Sequence, residues 1–243
     1  MTVSVLASES QIREARARMR ARGIDCASTF LERFLYRIGI SDRVPVGDRR
    51  KSWDVLKTIS FLQEFLSPDD PILDIGAHSC EILPILHRLG YTNLTGVDLD
   101  PEVGKMPHAD RIRYIRSDFR EVPCGERAFA CVTAVSVIEH GFEADRLLSE
   151  LDRILRPGGY FLASVDYWPE KIDTGGIRAY GMDWTIFSRE ELERFLANAE
   201  RYGFSCVGPR RFEASERVIS WMGKRYTFAW MALRKASGPT GQT

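Results

Sequence analysis

From about residue 70 onward the sequence alternates short apolar runs with amphipathic helical stretches, which predicts an α/β fold built on a doubly wound parallel sheet. Two further observations sharpen this reading. Residues 129–137, FACVTAVSV, are a continuous apolar, β-branched run, the pattern of a central strand covered on both faces. A glycine turn at Gly76 closes one apolar run, and an acid, Asp98, closes the next, roughly 20 residues further on.

Three helical stretches come before the alternating region. Residues 8–22 place Ile12, Ala15 and Met19 on one side, with Arg13, Arg16, Arg18, Arg20 and Arg22 elsewhere. Residues 28–38 set Phe30, Leu31, Phe34, Leu35 and Ile38 at helical spacing. Residues 41–51 read as a connector, broken by Pro45 and Gly47. A third helix spans about 52–66, with a wide stripe of Val55, Leu56, Ile59, Leu62, Phe65 and Leu66 that predicts deep burial.

The strands are expected at 71–75, 93–98, 112–116, 129–137, 160–166, 204–208 and 226–233. Between them lie helices at 81–90, stopped by Gly90, and at 143–155, stopped by Pro157-Gly158-Gly159. Ser188 and Glu191 make a capping box that opens a further helix, closed by Gly203. The tail 237–243 reads as loose. Three parts are expected: a helical extension or lid at 1–51, a main domain at 52–236 and the tail.

Composition excludes several classes. Of 243 residues, 44% are hydrophobic and 28% charged, which is ordinary for a globular chain and unlike a disordered one. Lys plus Arg equals Asp plus Glu at 34 each, so no basic excess points to duplex DNA. The five cysteines are odd in number and contain no C-x-x-C pair, so neither a disulfide framework nor a zinc site is expected. No signal peptide and no apolar run of ~18 residues is seen, so a cytoplasmic protein without membrane spans is expected.

In a doubly wound sheet, ligands sit beyond the C-terminal strand ends. The turn after the first strand reads Asp74-Ile75-Gly76-Ala77-His78-Ser79-Cys80-Glu81. A pyrophosphate site calls for G-x-G-x-x-G, but here His78 and Glu81 stand at the second and third glycine positions. A glutamate beside a pyrophosphate is repelled. A cofactor with a positive sulfonium and no phosphate suits an acid-rich loop better, and Asp98 is placed to accept from ribose hydroxyls.

These stretches resemble the class I S-adenosylmethionine-dependent methyltransferases. The resemblance rests on ILDIGAHSCEIL (72–83), TGVDLDPE (95–102), IRSDF (115–119), FACVTAVSVIEH (129–140) and LDRILRPGGYFLASVDY (151–167). It implies a Rossmann-like seven-stranded sheet in order 3-2-1-4-5-7-6, the last strand antiparallel. It also implies S-adenosyl-L-methionine as cofactor. Asp74, Gly76 and Ala77 would line its methionine end, Asp98 would bind the ribose and Leu99 would pack on the adenine. Asp118 would accept from the adenine amino group with Phe119 beside it, and Ala134 would face the sulfonium.

The chain departs from the family in keeping only Gly76 of three loop glycines, with His78 and Cys80 at the other two. Pro84 fits within the first turn of its helix, which places the start near Cys80 or Glu81. Glu139 and His140 resemble the Glu-His pair of quinone-pathway O-methyltransferases, but Ser136 replaces that family's further acid, so no metal is expected. His140 is the candidate base or positioning residue. Trp168, Tyr180, Trp184 and Phe187 form a candidate acceptor surface or a covering cluster, in a segment expected as a lid.

The expected activity is methyl transfer to a small-molecule or glycan acceptor, at a hydroxyl. RNA or protein methylation, favoured only by the arginine-rich helix, and a non-catalytic cofactor-binding scaffold are the alternatives.

Overall fold

The computed structural model describes residues 3–237. Its elements are β1 (Val3–Val5), α1 (Glu9–Ala21), α2 (Phe30–Arg37), α3 (Ser52–Phe65), β2 (Ile72–Ile75), α4 (Ile82–Arg88), β3 (Leu94–Asp98), β4 (Arg113–Arg116) and β5 (Phe129–Val135). There follow α5 (Ala144–Ile154), β6 (Leu155–Tyr167), β7 (Arg178–Ala179), β8 (Met182–Asp183), α6 (Arg189–Arg201), β9 (Phe204–Cys206), β10 (Ile219–Trp221) and β11 (Lys224–Lys235). Of the tail expected at 237–243, all but Ser237 lies outside the described residues. The chain gathers into two compact units, Ser10–Pro123 and Met1–Glu9 with Cys124–Thr243.

In the Ser10–Pro123 unit, β2, β3 and β4 run parallel with β3 in the middle. Asp74 pairs with Gly96, and Asp98 with Arg116, so two acids end neighbouring stretches of one sheet. This is the 3-2-1 half of the expected strand order. Every residue of β2 is buried, Asp74 among its apolar neighbours included. Helix α3 buries Trp53, Val55, Ile59 and Leu62, but Phe65 stays 42% exposed, so the stripe is narrower than its sequence indicates. No residue of α2 is buried, and its apolar residues Phe30, Leu31 and Phe34 face solvent.

In the other unit, β5 and β6 are parallel, and β11 lies antiparallel beside β6. Strand β9 pairs with β11 at Phe204–Cys206, which gives the 4-5-7-6 half of the order. The sequence reading missed β1, a three-residue strand that pairs antiparallel with β11 through Val3–Met231 and Val5–Ala229. It is too short to show a period, yet its backbone is satisfied along an edge that would otherwise stay open.

The Pro157-Gly158-Gly159 stop is also corrected. Helix α5 ends at Ile154, and β6 begins at once, running through the Pro-Gly-Gly stretch. The pairing with β5 jumps from Phe129–Leu155 to Cys131–Tyr160, an irregularity that accommodates the proline. The capping box is as expected: Ser188 Oγ accepts from the Glu191 amide at 3.2 Å and Glu191 accepts from the Ser188 amide at 2.8 Å.

Gly96 shows how tightly the first unit is packed around the loop after β2. A Cβ there would lie 2.8 Å from Ala77 Cβ, Leu83 Cδ1 and Tyr114 Cδ1. Gly96→Ala is therefore expected to overpack this site and cost about 1–3 kcal/mol. A lowered urea midpoint checks this, and an unchanged midpoint contradicts it.

Candidate functional site

The loop after β2 hooks back onto β3. The Gly76 and Ala77 amides both donate to the Val97 carbonyl, at 2.9 and 3.1 Å. The His78 amide donates to Asp98 Oδ2 and the Asp100 amide to Asp98 Oδ1, each at 2.9 Å. Asp98 is thus fixed in direction by two backbone donors. A carboxylate has about four lone-pair sites, so it keeps acceptor capacity for a further partner. Next to it, the apolar side chain of Leu99 is 45% exposed.

The missing glycines have a local explanation. Left-handed backbone occurs at Gly76, with φ +74°, and at Ser79, with φ +59°. His78 and Cys80 have ordinary negative φ, so their Cβ atoms meet no backbone penalty. Helix α4 starts at Ile82 with Glu81 as its N-cap, which puts Pro84 in the first turn. Asp74 is fully buried, and burial together with the Asp74 charge pushes the Cys80 thiol well above its usual range. Burial and the neighbouring acid thus favour the neutral thiol over the thiolate that a nucleophile needs.

Glu81 does not face a ligand, contrary to the reading of an acid-rich loop. It is 1% exposed and grips Arg16 of α1 in a two-pronged pair, Nη2–Oε1 at 2.6 Å and Nη1–Oε2 at 2.9 Å. Arg16 also donates to Asp25 at 2.8 Å and to Ser52 Oγ at 2.9 Å. Burial works against its charge, but Glu81 and Asp25 outweigh that and hold the guanidinium above its usual pKa. Arg20 pairs with Asp25 and Arg22 bonds Gln63, both on the exposed side of the helix, so of these arginines Arg16 is the one drawn into the interior. With Glu81 neutralised, the case against a pyrophosphate rests on the Cβ atom of His78 where a glycine is needed.

Asp118 sits in the turn after β4, where Arg120 surrounds its carboxylate. The Arg120 amide lies at 2.9 Å, Nε at 3.0 and 3.1 Å and Nη2 at 2.6 Å. Asp118 is thereby committed to Arg120, whose guanidinium also lies 5.9 Å from the centre of the Phe119 ring. An adenine amino group takes a place on Asp118 only where Arg120 gives one up.

In the other unit, Ala134 is fully buried in β5 opposite Ala163. The strand ends at Val135, short of the expected 137, because Ser136 turns to φ +52°. Its amide donates to the Ser164 carbonyl at 2.9 Å, and its hydroxyl is buried with no hydrogen-bond partner. Glu139 and His140 thus lie in a turn after the strand, so strand alternation does not decide which of them points where. Glu139 is fully buried and His140 is 8% exposed.

Residues 168–187 fold over this turn. The β7–β8 hairpin is held to it by Gly141 N–Asp183 O at 2.8 Å and Thr185 N–Glu139 O at 2.9 Å. Trp184 and Phe187 are core residues, and Trp184 Nε1 donates to Asp166 at 2.8 Å. Tyr180, at the hairpin tip, is 79% exposed and meets His140 edge-on with ring centres 5.2 Å apart. Trp221 completes the wall, 6.1 Å from His140 and 5.0 Å from Trp184. The sequence reading missed Trp221. Its signal was Met222-Gly223 between two apolar, aromatic-rich runs, a hairpin signature. Among the described residues there is no group of three or more His, Cys, Asp or Glu fit to hold a metal ion. No helix among them is long and apolar enough to cross a membrane.

This fold, with a fixed acid at the end of the second strand of the parallel region and a glycine turn after the first, is shared with known proteins. Residues 73–163 match the methyltransferase domain family. That segment is similar to methyltransferase domains, and the fold is the one that solved S-adenosylmethionine-dependent methyltransferases have. A sterol 24-C-methyltransferase of Gibberella zeae is 24% identical over 104 residues, which is 40% of this chain and 27% of that protein. The chain therefore spans little more than a quarter of that relative.

Solved structures share the fold at low identity. The 1,6-didemethyltoxoflavin-N1-methyltransferase of Burkholderia thailandensis, with bound S-adenosylhomocysteine, is 22% identical with a TM-score of 0.54, covering 75% of this chain and 78% of that one. The geranyl diphosphate C-methyltransferase of Streptomyces coelicolor is 16% identical with a TM-score of 0.56, covering 80% and 90%. The [4+2]-cyclase SpnF is 15% identical with a TM-score of 0.58, covering 97% and 99%.

Asp98→Ala removes an acceptor from the His78 and Asp100 amides as well as from any ribose. Hydrogen bonds to a charged group are worth about 1.5–3 kcal/mol, so S-adenosylhomocysteine affinity is expected to fall about 10–100-fold. The unfolding temperature of the free protein should fall too, since two amides lose their acceptor. Calorimetry and a thermal melt check both, and an unchanged affinity places the ribose elsewhere.

Proposed function

We propose that the chain transfers a methyl group from S-adenosylmethionine to a small-molecule or glycan acceptor, at a hydroxyl. The observation that carries this is Asp98, held by two backbone amides at the end of β3 beside exposed Leu99. The site residues fit an adenosyl group: an oriented acceptor for ribose hydroxyls, an open apolar side chain for a base, and a turn at Gly76 where backbone comes close. Asp74, Gly76 and Ala77 would hold the methionine end, with Asp118 and Phe119 at the adenine and Ala134 toward the sulfur. When bound, the cofactor supplies an already activated methyl on a sulfonium.

What remains for the protein is orientation, exclusion of water and management of one proton. Tyr180 and Trp221 offer flat apolar surface beside His140, backed by buried Trp184 and suited to a ring or a sugar face. The His140 imidazole nitrogen takes the hydroxyl proton or holds the hydroxyl by a hydrogen bond. The buried, unpartnered Ser136 hydroxyl supplies a further donor and acceptor after the same strand. The hairpin carrying Tyr180 is the lid of this reading. The three methyltransferases named above act, by their names, at carbon or nitrogen, and the hydroxyl acceptor is this proposal's own. The five cysteines are free thiols, which accords with the cytoplasmic setting of this reading.

One observation favours a second reading. The [4+2]-cyclase covers 97% of this chain, so the same fold also serves chemistry that its name does not describe as methylation. The two readings separate by measuring S-adenosylhomocysteine released from S-adenosylmethionine across a panel of hydroxylated small molecules and sugars. The proposal expects release with some acceptor, and His140→Ala to lower it at least ~10²-fold while cofactor binding survives. Cofactor binding without release from any acceptor favours the second reading, and near-normal turnover in His140→Ala leaves orientation as the only catalytic device.

A further inference from the structure

A loop that has lost two of three glycines needs something else to hold its shape, and the first fifty residues supply it. Arg16 is 5% exposed and lies on the apolar face of α1, four residues after Ile12 and three before Met19. Its planar fork meets both oxygens of Glu81, the N-cap of α4, while Nε and Nη1 reach Ser52 and Asp25. Two further struts join the same regions. The Gly47 amide donates to the Ser79 carbonyl at 2.8 Å, on the left-handed residue of the loop. From α4, Arg88 donates to the Gly23 and Asp25 carbonyls at 3.2 and 3.1 Å. Gly47 itself is at φ +80°, and a Cβ there would lie 2.9 Å from Ala27 Cα and 3.1 Å from the Glu81 carboxyl carbon. A side chain at Gly47 would thus crowd both Ala27 and the Glu81 carboxylate that Arg16 holds.

We infer that Arg16 is a positioning residue of the cofactor loop, fixing residues 76–81 in their ligand-ready form through Glu81. This rests on the loop being the cofactor's, as proposed above. Arg16 touches no ligand; it determines where the Gly76–Glu81 turn stands relative to Asp98, to which the His78 amide is bonded. Arginine suits the task because two parallel bonds fix an angle as well as a distance, whereas lysine offers a single point of charge.

The test compares wild type with Arg16→Met, Arg16→Lys and the double variant Arg16→Met/Glu81→Leu. Three quantities are read: S-adenosylhomocysteine affinity by calorimetry at a temperature where each protein is folded, the unfolding midpoint, and amide exchange at 76–82. Arg16→Met is expected to weaken binding at least about tenfold, equivalent to one charged hydrogen bond or more, and to speed exchange in the loop. The double variant replaces a buried ion pair by apolar contact and should regain the midpoint. It should not regain the affinity, because the two-pronged bond is gone. Arg16→Lys should recover part of both.

Binding within about twofold of wild type in Arg16→Met or in the double variant, with unchanged loop exchange, overturns the inference and leaves Arg16 a stabilising residue only. If Arg16→Met does not fold, the double variant alone decides. If wild type takes up no S-adenosylhomocysteine, the cofactor reading falls, and with it the positioning role toward that ligand. Loop exchange unchanged in the variants shows separately that Arg16 does not order the turn.

Discussion

The two-pronged ion pair between Arg16 and Glu81 ties the first long helix to the turn that carries the candidate site. Both side chains are buried, at 5% and 1% exposure. Two charges removed from water attract strongly only if their remaining hydrogen-bonding groups are also satisfied. Here Ser52 and Asp25 satisfy Arg16, and Asp25 is in turn held by Arg20 and the Ala27 amide. Removing one partner of such a pair typically costs about 3–5 kcal/mol. A whole domain is stable by only about 5–15 kcal/mol, so much of this unit's margin passes through one contact. The Gly76–Glu81 loop, the start of α4 and the Gly47 approach all adjoin it.

The two units store backbone strain in corresponding places. Ser79 follows β2 by a few residues and Ser136 follows β5 directly, and both are non-glycine residues in left-handed backbone. Such conformations persist where surrounding bonds over-determine them. Around Ser79 these are the Gly47 amide and the Met106 sulfur, at 2.8 and 3.2 Å. Around Ser136 they are the carbonyl and hydroxyl of Ser164, at 2.9 and 3.2 Å. Strained residues at the carboxyl ends of parallel strands lie where sheets of this kind hold their ligands.

Much of the fold was legible because its elements are periodic or continuous. The fully buried β2 and β5, the Ser188 capping box and the glycine stops were read within a few residues. What was missed had a different physical origin. β1 is three residues long and owes its existence to the edge of β11. The β6 start is set by a pairing irregularity that no local propensity announces. Asp98 could be singled out as a candidate because a glycine turn and an acid recur at a known spacing. The true role of Glu81 could not, since its partner is 65 residues away. A hint was present all the same: Arg16, read as lying away from the apolar side, follows Ile12 by four residues and precedes Met19 by three, which puts it on that side, where an unpaired charge would be costly. His140 was named from its place after a strand, but the wall of Tyr180 and Trp221 around it is tertiary and needed the structure.

The central claim is that Asp98 and the turn at Gly76 receive an adenosyl group. A crystal structure of the wild-type chain grown with S-adenosylhomocysteine tests this most directly. The account predicts ribose hydroxyls within about 2.5–3.0 Å of Asp98 and an adenine against Leu99, with the Arg16–Glu81 pair intact. Ligand bound elsewhere, or a ribose held by another residue while Asp98 faces solvent, would contradict it.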